Sequence, residues 1–177
     1  EISLRKSVEI NPDFPEATSN LGEILKDLGN FKEAEIILKK AIQLNPYNSN
    51  DYKNLASVLV NLGQLEEAQI EVEKAIKINP NSEKAHLNLG VIFGSIGKIK
   101  EAEISFLTAL NLKPNYADAH YNLGILLKNL GRFKEAELSF QKAIEIKPNW
   151  EASFLYASLL FDKKDFDSSL SNLQRIK

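Results

Sequence analysis

The side chains able to do chemistry are few, and their spacing argues against a reaction centre. The only histidines, His86 and His120, lie 34 residues apart. A shared metal would need their nitrogens about 2 Å from one ion, whereas equivalent positions on stacked helices stand roughly 8–10 Å apart. No third ligand type accompanies them, so no metal site is expected. The register they share with Tyr52 marks them as packing residues. Carboxylates are plentiful, in Glu33-Ala34-Glu35, Glu66-Glu67, Glu101-Ala102-Glu103 and Glu135-Ala136-Glu137. They recur at one place near the start of a helical pattern, where negative charge complements the helix dipole. Glu35 with Lys39 and Glu73 with Lys77 have the favourable order for ion pairs one helical turn apart. With no cysteine there is no thiolate nucleophile, thiolate metal site or disulfide. No phosphate-binding glycine loop or nucleophile elbow occurs. The expectation is a chain that is not an enzyme and holds no cofactor.

Bulk properties narrow the classes further. The sequence has 22 Lys and Arg against 24 Asp and Glu, a formal charge of −2, and so lacks the long-range field of a nucleic-acid binder. Apolar runs such as 155–161 fall far short of the roughly 20 residues that span a bilayer, and no leader pattern is seen. A cytoplasmic location is expected on those grounds. The chain lacks methionine and opens at Glu1 inside a helical pattern, which suggests a piece of a longer protein.

The elements that position these residues follow from a repeat. Pro12, Pro46, Pro80, Pro114 and Pro148 stand 34 residues apart, and Gly29, Gly63, Gly97 and Gly131 keep the same interval. Two alanine ladders run in register with them, Ala34, Ala68, Ala102, Ala136 and Ala41, Ala75, Ala109, Ala143. The proline disfavours helix at the residue before it and so ends a helix. The glycine suits a helix C-terminus that turns through positive φ. Between them, apolar residues at spacings of three and four, such as Ala17, Leu21, Ile24, Leu25 and Leu28, then Phe31, Ala34, Leu38 and Ala41, predict two amphipathic helices per unit. Gly22, Ala56, Gly90 and Gly124 leave room for close helix approach, and a larger side chain at Ala68 or Ala102 would overpack the hairpin.

This pattern resembles the tetratricopeptide repeat family. Leu89-Gly90, Ala102, Phe106, Ala109 and Pro114 fill one unit of its motif, and Leu123-Gly124, Ala136, Phe140, Ala143 and Pro148 fill the next. The family's phase implies repeats at 15–48, 49–82, 83–116 and 117–150. Residues 1–14 are then the second helix of a truncated preceding repeat, and 151–177 a degenerate or truncated fifth. In that last unit Ala157, Lys164, Phe166, Ser169 and Ile176 replace motif residues. The resemblance implies an all-α solenoid of stacked antiparallel hairpins, about eleven helices in all, wound as a right-handed superhelix. Within the family, the segment from Pro114 to Leu123 is most similar to the repeat arm of O-linked N-acetylglucosamine transferases and their bacterial relatives.

The family's first helices line a concave surface, which puts particular residues there. Asn20, Asn54, Asn88 and Asn122 hold one register, and each amide offers donors and an acceptor to an extended peptide. Beside them stand Lys53 toward the N-terminus and Leu87, Val91, Tyr121, Ile125 and Phe154 toward the C-terminus, an apolar set of the kind that marks binding surfaces. The family's carboxylate clamp for chaperone tails is not expected. Its register falls on Lys53, Ser57, Asn88, Asp118 and Asn122, and Asp118 would repel an acidic tail. The expected function is therefore a non-catalytic protein-interaction module that binds an extended polypeptide. Two alternatives stand beside it: a substrate-recruiting arm of a larger enzyme such as a glycosyltransferase, and a scaffold that self-associates end to end through unfinished repeats. The expected partner is a protein or peptide, with no nucleic acid and no membrane.

Overall fold

The computed structural model describes residues 2–148 and 151–160. Its helices are α1 (Ile2–Ile10), α2 (Pro15–Asp27), α3 (Phe31–Leu44), α4 (Ser49–Asn61), α5 (Leu65–Ile78), α6 (Glu83–Ser95), α7 (Ile99–Leu112), α8 (Ala117–Asn129) and α9 (Phe133–Ile146), followed by α10 over 151–160. Among the described residues there is no strand, and the fold is all-α. The expected eleventh helix, with Phe166, Ser169 and Ile176, and the turn position Lys164 before it lie outside the described residues.

Helix ends follow the residue types. Each of α3, α5 and α9 stops two residues before its proline, and the intervening Asn45, Asn79 and Lys147 adopt φ of −139°, −131° and −143°, the extended backbone that a following proline favours. Gly29, Gly63, Gly97 and Gly131 have φ of 78°, 77°, 80° and 72°. Each closes the same paired bond. The Gly63 N–H donates to the Val60 carbonyl and the Gln64 N–H to the Leu59 carbonyl, which satisfies carbonyls the helix leaves open. No atom lies within 4 Å of a Cβ added at Gly63, so the requirement is conformational alone. Gly63→Ala is expected to destabilise by about 1 kcal/mol, the left-handed penalty less the entropy removed from the unfolded chain. A urea midpoint equal to wild type would contradict this.

The chain forms two compact units, Glu1–Ser105 and Phe106–Lys177. In the first, α2 packs on α3 and α4 on α5 as hairpins, while α3 meets α4 and α5 meets α6. Their facing stripes form a continuous core of Leu21, Leu25, Leu38, Leu55, Leu59, Val72 and Ile92, with Ala34, Ala56, Ala68, Ala75 and Ala85 between them. α1 rests on α2, and Arg5 reaches Glu33 with both guanidinium nitrogens, Nη2 to Oε2 at 2.9 Å. That contact holds the Glu33 carboxyl below its ordinary range. In the second unit α8 packs on α9, around Leu123, Leu127, Phe140 and Leu159. The Phe140 ring meets Tyr121 edge-on at 6.3 Å.

Small residues in the first helices have a more local role than backbone approach. A Cβ at Gly22 would stand 2.7 Å from Leu38 Cδ2, and one at Gly124 would stand 2.8 Å from Phe140 Cε1. The space is taken by one large side chain of the hairpin's second helix. Ala56 and Val72, in the same registers of α4 and α5, are both fully buried. An added methyl in one helix is matched there by a smaller side chain in the other.

Candidate binding surface

The two histidines close turns. His86 Nε2 lies 2.9 Å from the Pro80 carbonyl, and His120 Nε2 lies 2.9 Å from the Pro114 carbonyl. A carbonyl only accepts, so each ring carries its proton on Nε2 and ties its helix to the proline that begins the turn. Tyr52, in the same register, is instead buried with the Lys74 ammonium 5.8 Å from its ring centre. Among the described residues no three His, Cys, Asp or Glu are grouped to hold a metal. The acidic residues stand in the first turns of the second helices, Glu33 in α3, Glu66 and Glu67 in α5, Glu101 in α7 and Glu135 in α9. Lys39 pairs with Glu35 at 2.6 Å, whereas Glu73 accepts from Gln69 Nε2 at 2.7 Å.

The asparagine row is uneven. In the first unit Asn20 is exposed, but Asn54 is buried and its Oδ1 accepts from Lys26 Nζ at 3.2 Å. Asn88 is half-buried and donates at 3.4 Å to the Lys53 carbonyl. In the second unit Asn122 Nδ2 donates to the Asp118 carbonyl at 2.7 Å. Each of Asn88 and Asn122 thus spends a donor on backbone, which orients the amide. Leu87 is buried, Val91, Tyr121 and Ile125 are half-buried, and Phe154 is exposed.

Electrostatics distinguish the two units. In the first, Lys53 is half-buried and donates to Asn50 Oδ1 at 2.8 Å. Burial, and then the Lys84 charge, push its ammonium pKa down against the opposing Glu23 and Glu83 carboxylates, so lysines and carboxylates share one region beside Asn54 and Asn88. In the second, Ala117, Asp118, Tyr121, Asn122, Ala143, Lys147, Glu151 and Ala152 line a cleft of about 210 Å³. Burial there, and then the nearby Glu151 charge, raise the Tyr121 hydroxyl pKa. Tyr121 and Asn122 are the predicted pair that the structure brings into one concavity.

One polar cluster escaped the sequence reading. Asp51 is only 1% exposed, and its Oδ2 accepts from Ser19 Oγ at 2.8 Å and from Asn48 Nδ2 at 2.9 Å. Asn48 also caps α4, with Oδ1 accepting from the Asn50 N–H at 3.2 Å. In the repeat register Asp51 stands where Ala17, Ala85 and Ala119 stand, all buried. An acid in an alanine ladder was the signal. Burial raises its pKa, against the lowering effect of the two hydrogen bonds.

Comparison with known proteins places this arrangement. Tetratricopeptide repeat profiles match residues 16–48, 37–70 and 117–149, and a TPR repeat profile matches residues 92–131. No functionally curated protein matches the chain in sequence. Among solved structures, a thermophilic TPR protein of Thermus thermophilus is 27% identical with a TM-score of 0.78, over 89% of this chain and 87% of that one. MamA is 25% identical with a TM-score of 0.71, over 81% of this chain and 84% of that one. The pilF protein of Pseudomonas aeruginosa, at 22% identity, shares the fold with a TM-score of 0.77 over 86% of this chain and 70% of that one. Four profile matches, together covering residues 16–70 and 92–149, on stacked helical hairpins, show that the chain belongs to the tetratricopeptide repeat family.

Proposed function

We propose that this chain is a protein-interaction module that takes an extended polypeptide along the exposed face of its first helices. The observation that carries the reading is the cleft of about 210 Å³ beside α8, where Tyr121 supplies apolar surface and Asn122 an amide. Because Asn122 gives a donor to the Asp118 carbonyl, its oxygen remains oriented to accept a peptide N–H. Asn88 is placed likewise in the first unit, and Asn20 adds an exposed amide. Asn54, engaged by Lys26, serves instead to position that ammonium. Val91, Ile125 and Phe154 supply apolar contacts, and Lys53 a positive charge. No catalytic step is assigned to the chain, and a recruiting arm of a larger enzyme would use this face in the same way.

The test is a peptide array probed with the purified chain, followed by anisotropy titration of the best binder. Asn88→Ala with Asn122→Ala removes two peptide hydrogen bonds worth about 1–3 kcal/mol together, roughly a tenfold to hundredfold loss of affinity. Unchanged affinity in that double variant, with helicity intact, would remove the proposal.

A further inference from the structure

The repeats share a framework that hardly distinguishes one hairpin from another. Leu21, Leu55, Leu89 and Leu123 hold one register, as do Ala34, Ala68, Ala102 and Ala136, so apolar packing alone discriminates little between neighbours. A chain of near-interchangeable units can stack them in the wrong order, within itself or with another copy. What differs from unit to unit is the polar contact between neighbours. The first helices of adjacent hairpins, α2 and α4, meet directly, and there Ser19 Oγ donates to Asp51 Oδ2 at 2.8 Å.

The residue types for this contact occur at one junction. The register of Ser19 holds Lys53, Leu87 and Tyr121 in the later first helices, the register of Asp51 holds Ala17, Ala85 and Ala119, and that of Asn48 holds Phe14, Ser82 and Tyr116. Asn48 Nδ2 gives Asp51 Oδ2 its second hydrogen bond at 2.9 Å. Both residues belong to the start of α4, so Asn48 stays with Asp51 whatever stands ahead of the hairpin, and Ser19 is the part that a correct neighbour brings. Among the described residues no buried side-chain nitrogen or oxygen lacks a hydrogen bond, so the carboxylate is satisfied in the native order. A neighbour bringing Leu87 to the place of Ser19 would press an apolar side chain on an acid that is shut off from water, which is costly. Lys53 would bring a donor, but at the cost of burying a second charge.

We infer that Ser19, Asp51 and Asn48 form a matching device that fixes the order of stacking. The hairpin of α4 and α5 accepts the hairpin of α2 and α3 ahead of it and rejects one that brings an apolar residue to the Ser19 position. A buried polar group that sets register at some cost in stability has this role in other helical assemblies. An alanine at position 51, as at 85 and 119, would pack without the preference. The device acts between hairpins of the first unit and does not depend on any ligand in the groove.

The experiment uses the whole chain, unfolded in urea and refolded over a range of protein concentrations, with mass read by light scattering and stability by the urea midpoint. Ser19→Ala with Asp51→Ala erases the match without leaving a charge unpaired. This variant is expected to be at least as stable as wild type when refolded dilute. Refolded concentrated, it should leave about tenfold more of the chain in oligomers, because wrong neighbours are no longer rejected. Ser19→Thr keeps the hydroxyl and should refold as wild type does. Ser19→Leu gives α2 the residue type of position 87. Beside Asp51 it should lower the folding equilibrium constant about tenfold to hundredfold, and much less in the Asp51→Ala background. A monomer yield in the erased variant equal to wild type overturns the inference. So does a Ser19→Leu loss of the same size in both backgrounds, which would be a steric fault at position 19 alone. An erased variant less stable than wild type overturns it as well, since the cluster would then be an ordinary stabilising contact.

Discussion

Phe140→Ala is expected to destabilise the second unit by about 3–5 kcal/mol, the range for emptying a fully buried aromatic site. Phe140 is completely buried, fills the space beside Gly124 and meets Tyr121 edge-on. Two long helices of one hairpin close on this ring, so collapse into the vacated volume is limited. The opposite change at the same contact is also unfavourable. Gly124→Ala places a methyl 2.8 Å from the ring, and overpacking of that kind costs about 1–3 kcal/mol. The pair should be strongly coupled. Gly124→Ala together with Phe140→Val copies the Ala56 and Val72 combination of the α4 and α5 hairpin, and should cost less than the sum of the two single changes. Urea unfolding followed by far-ultraviolet circular dichroism provides the cycle. Additive losses within about 0.3 kcal/mol would show that residues 124 and 140 do not share one volume.

The second large effect concerns Ser19 and Asp51, and its two halves have opposite signs. Ser19→Ala removes a hydrogen bond to a buried carboxylate and should cost about 1.5–3 kcal/mol at neutral pH. Asp51→Ala restores the residue type found at positions 17, 85 and 119. Removing a buried charge also removes its desolvation cost, so this change is expected to be neutral or stabilising. Ser19→Ala should then become nearly silent in the Asp51→Ala background. The pH dependence follows from the raised Asp51 pKa. The folded state holds this proton more tightly than the unfolded state does. The resulting stabilisation is fully present below the unfolded value of 3.8 and is lost as pH rises through the higher folded pKa. Asp51 therefore makes the first unit gain stability on mild acidification, against the trend of Glu33, whose lowered pKa makes stability fall as pH drops through its folded value. Asp51→Asn should remove the gain. Subtracting variant from wild-type stability across acidic pH isolates the contribution. A difference that is flat, or that favours wild type more at neutral pH than at acid pH, would contradict the assignment.

These two sites mark where sequence and tertiary structure each decide. The 34-residue ladders of proline, glycine and alanine determine the hairpins by themselves, because their causes are local. A proline restrains its predecessor, a positive φ selects glycine, and an apolar stripe of period 3.6 makes a helix seek a partner. The Asn, Tyr and aliphatic registers of the first helices were legible for the same reason, since a repeat position names a helix face. What a face touches is another matter. Asn54 and Asn122 share a register, yet one is sealed by a lysine 28 residues before it and the other bonds its own helix. Pairing distance across hairpins differs from the repeat length, so the partner at each position depends on neighbours that vary from unit to unit. The side chain that claims the space at Gly22 or Gly124 comes from the paired helix, and the Ser19, Asp51 and Asn48 cluster joins residues from adjacent hairpins. Only the packed structure decides whether an asparagine faces a ligand, a lysine or its own backbone.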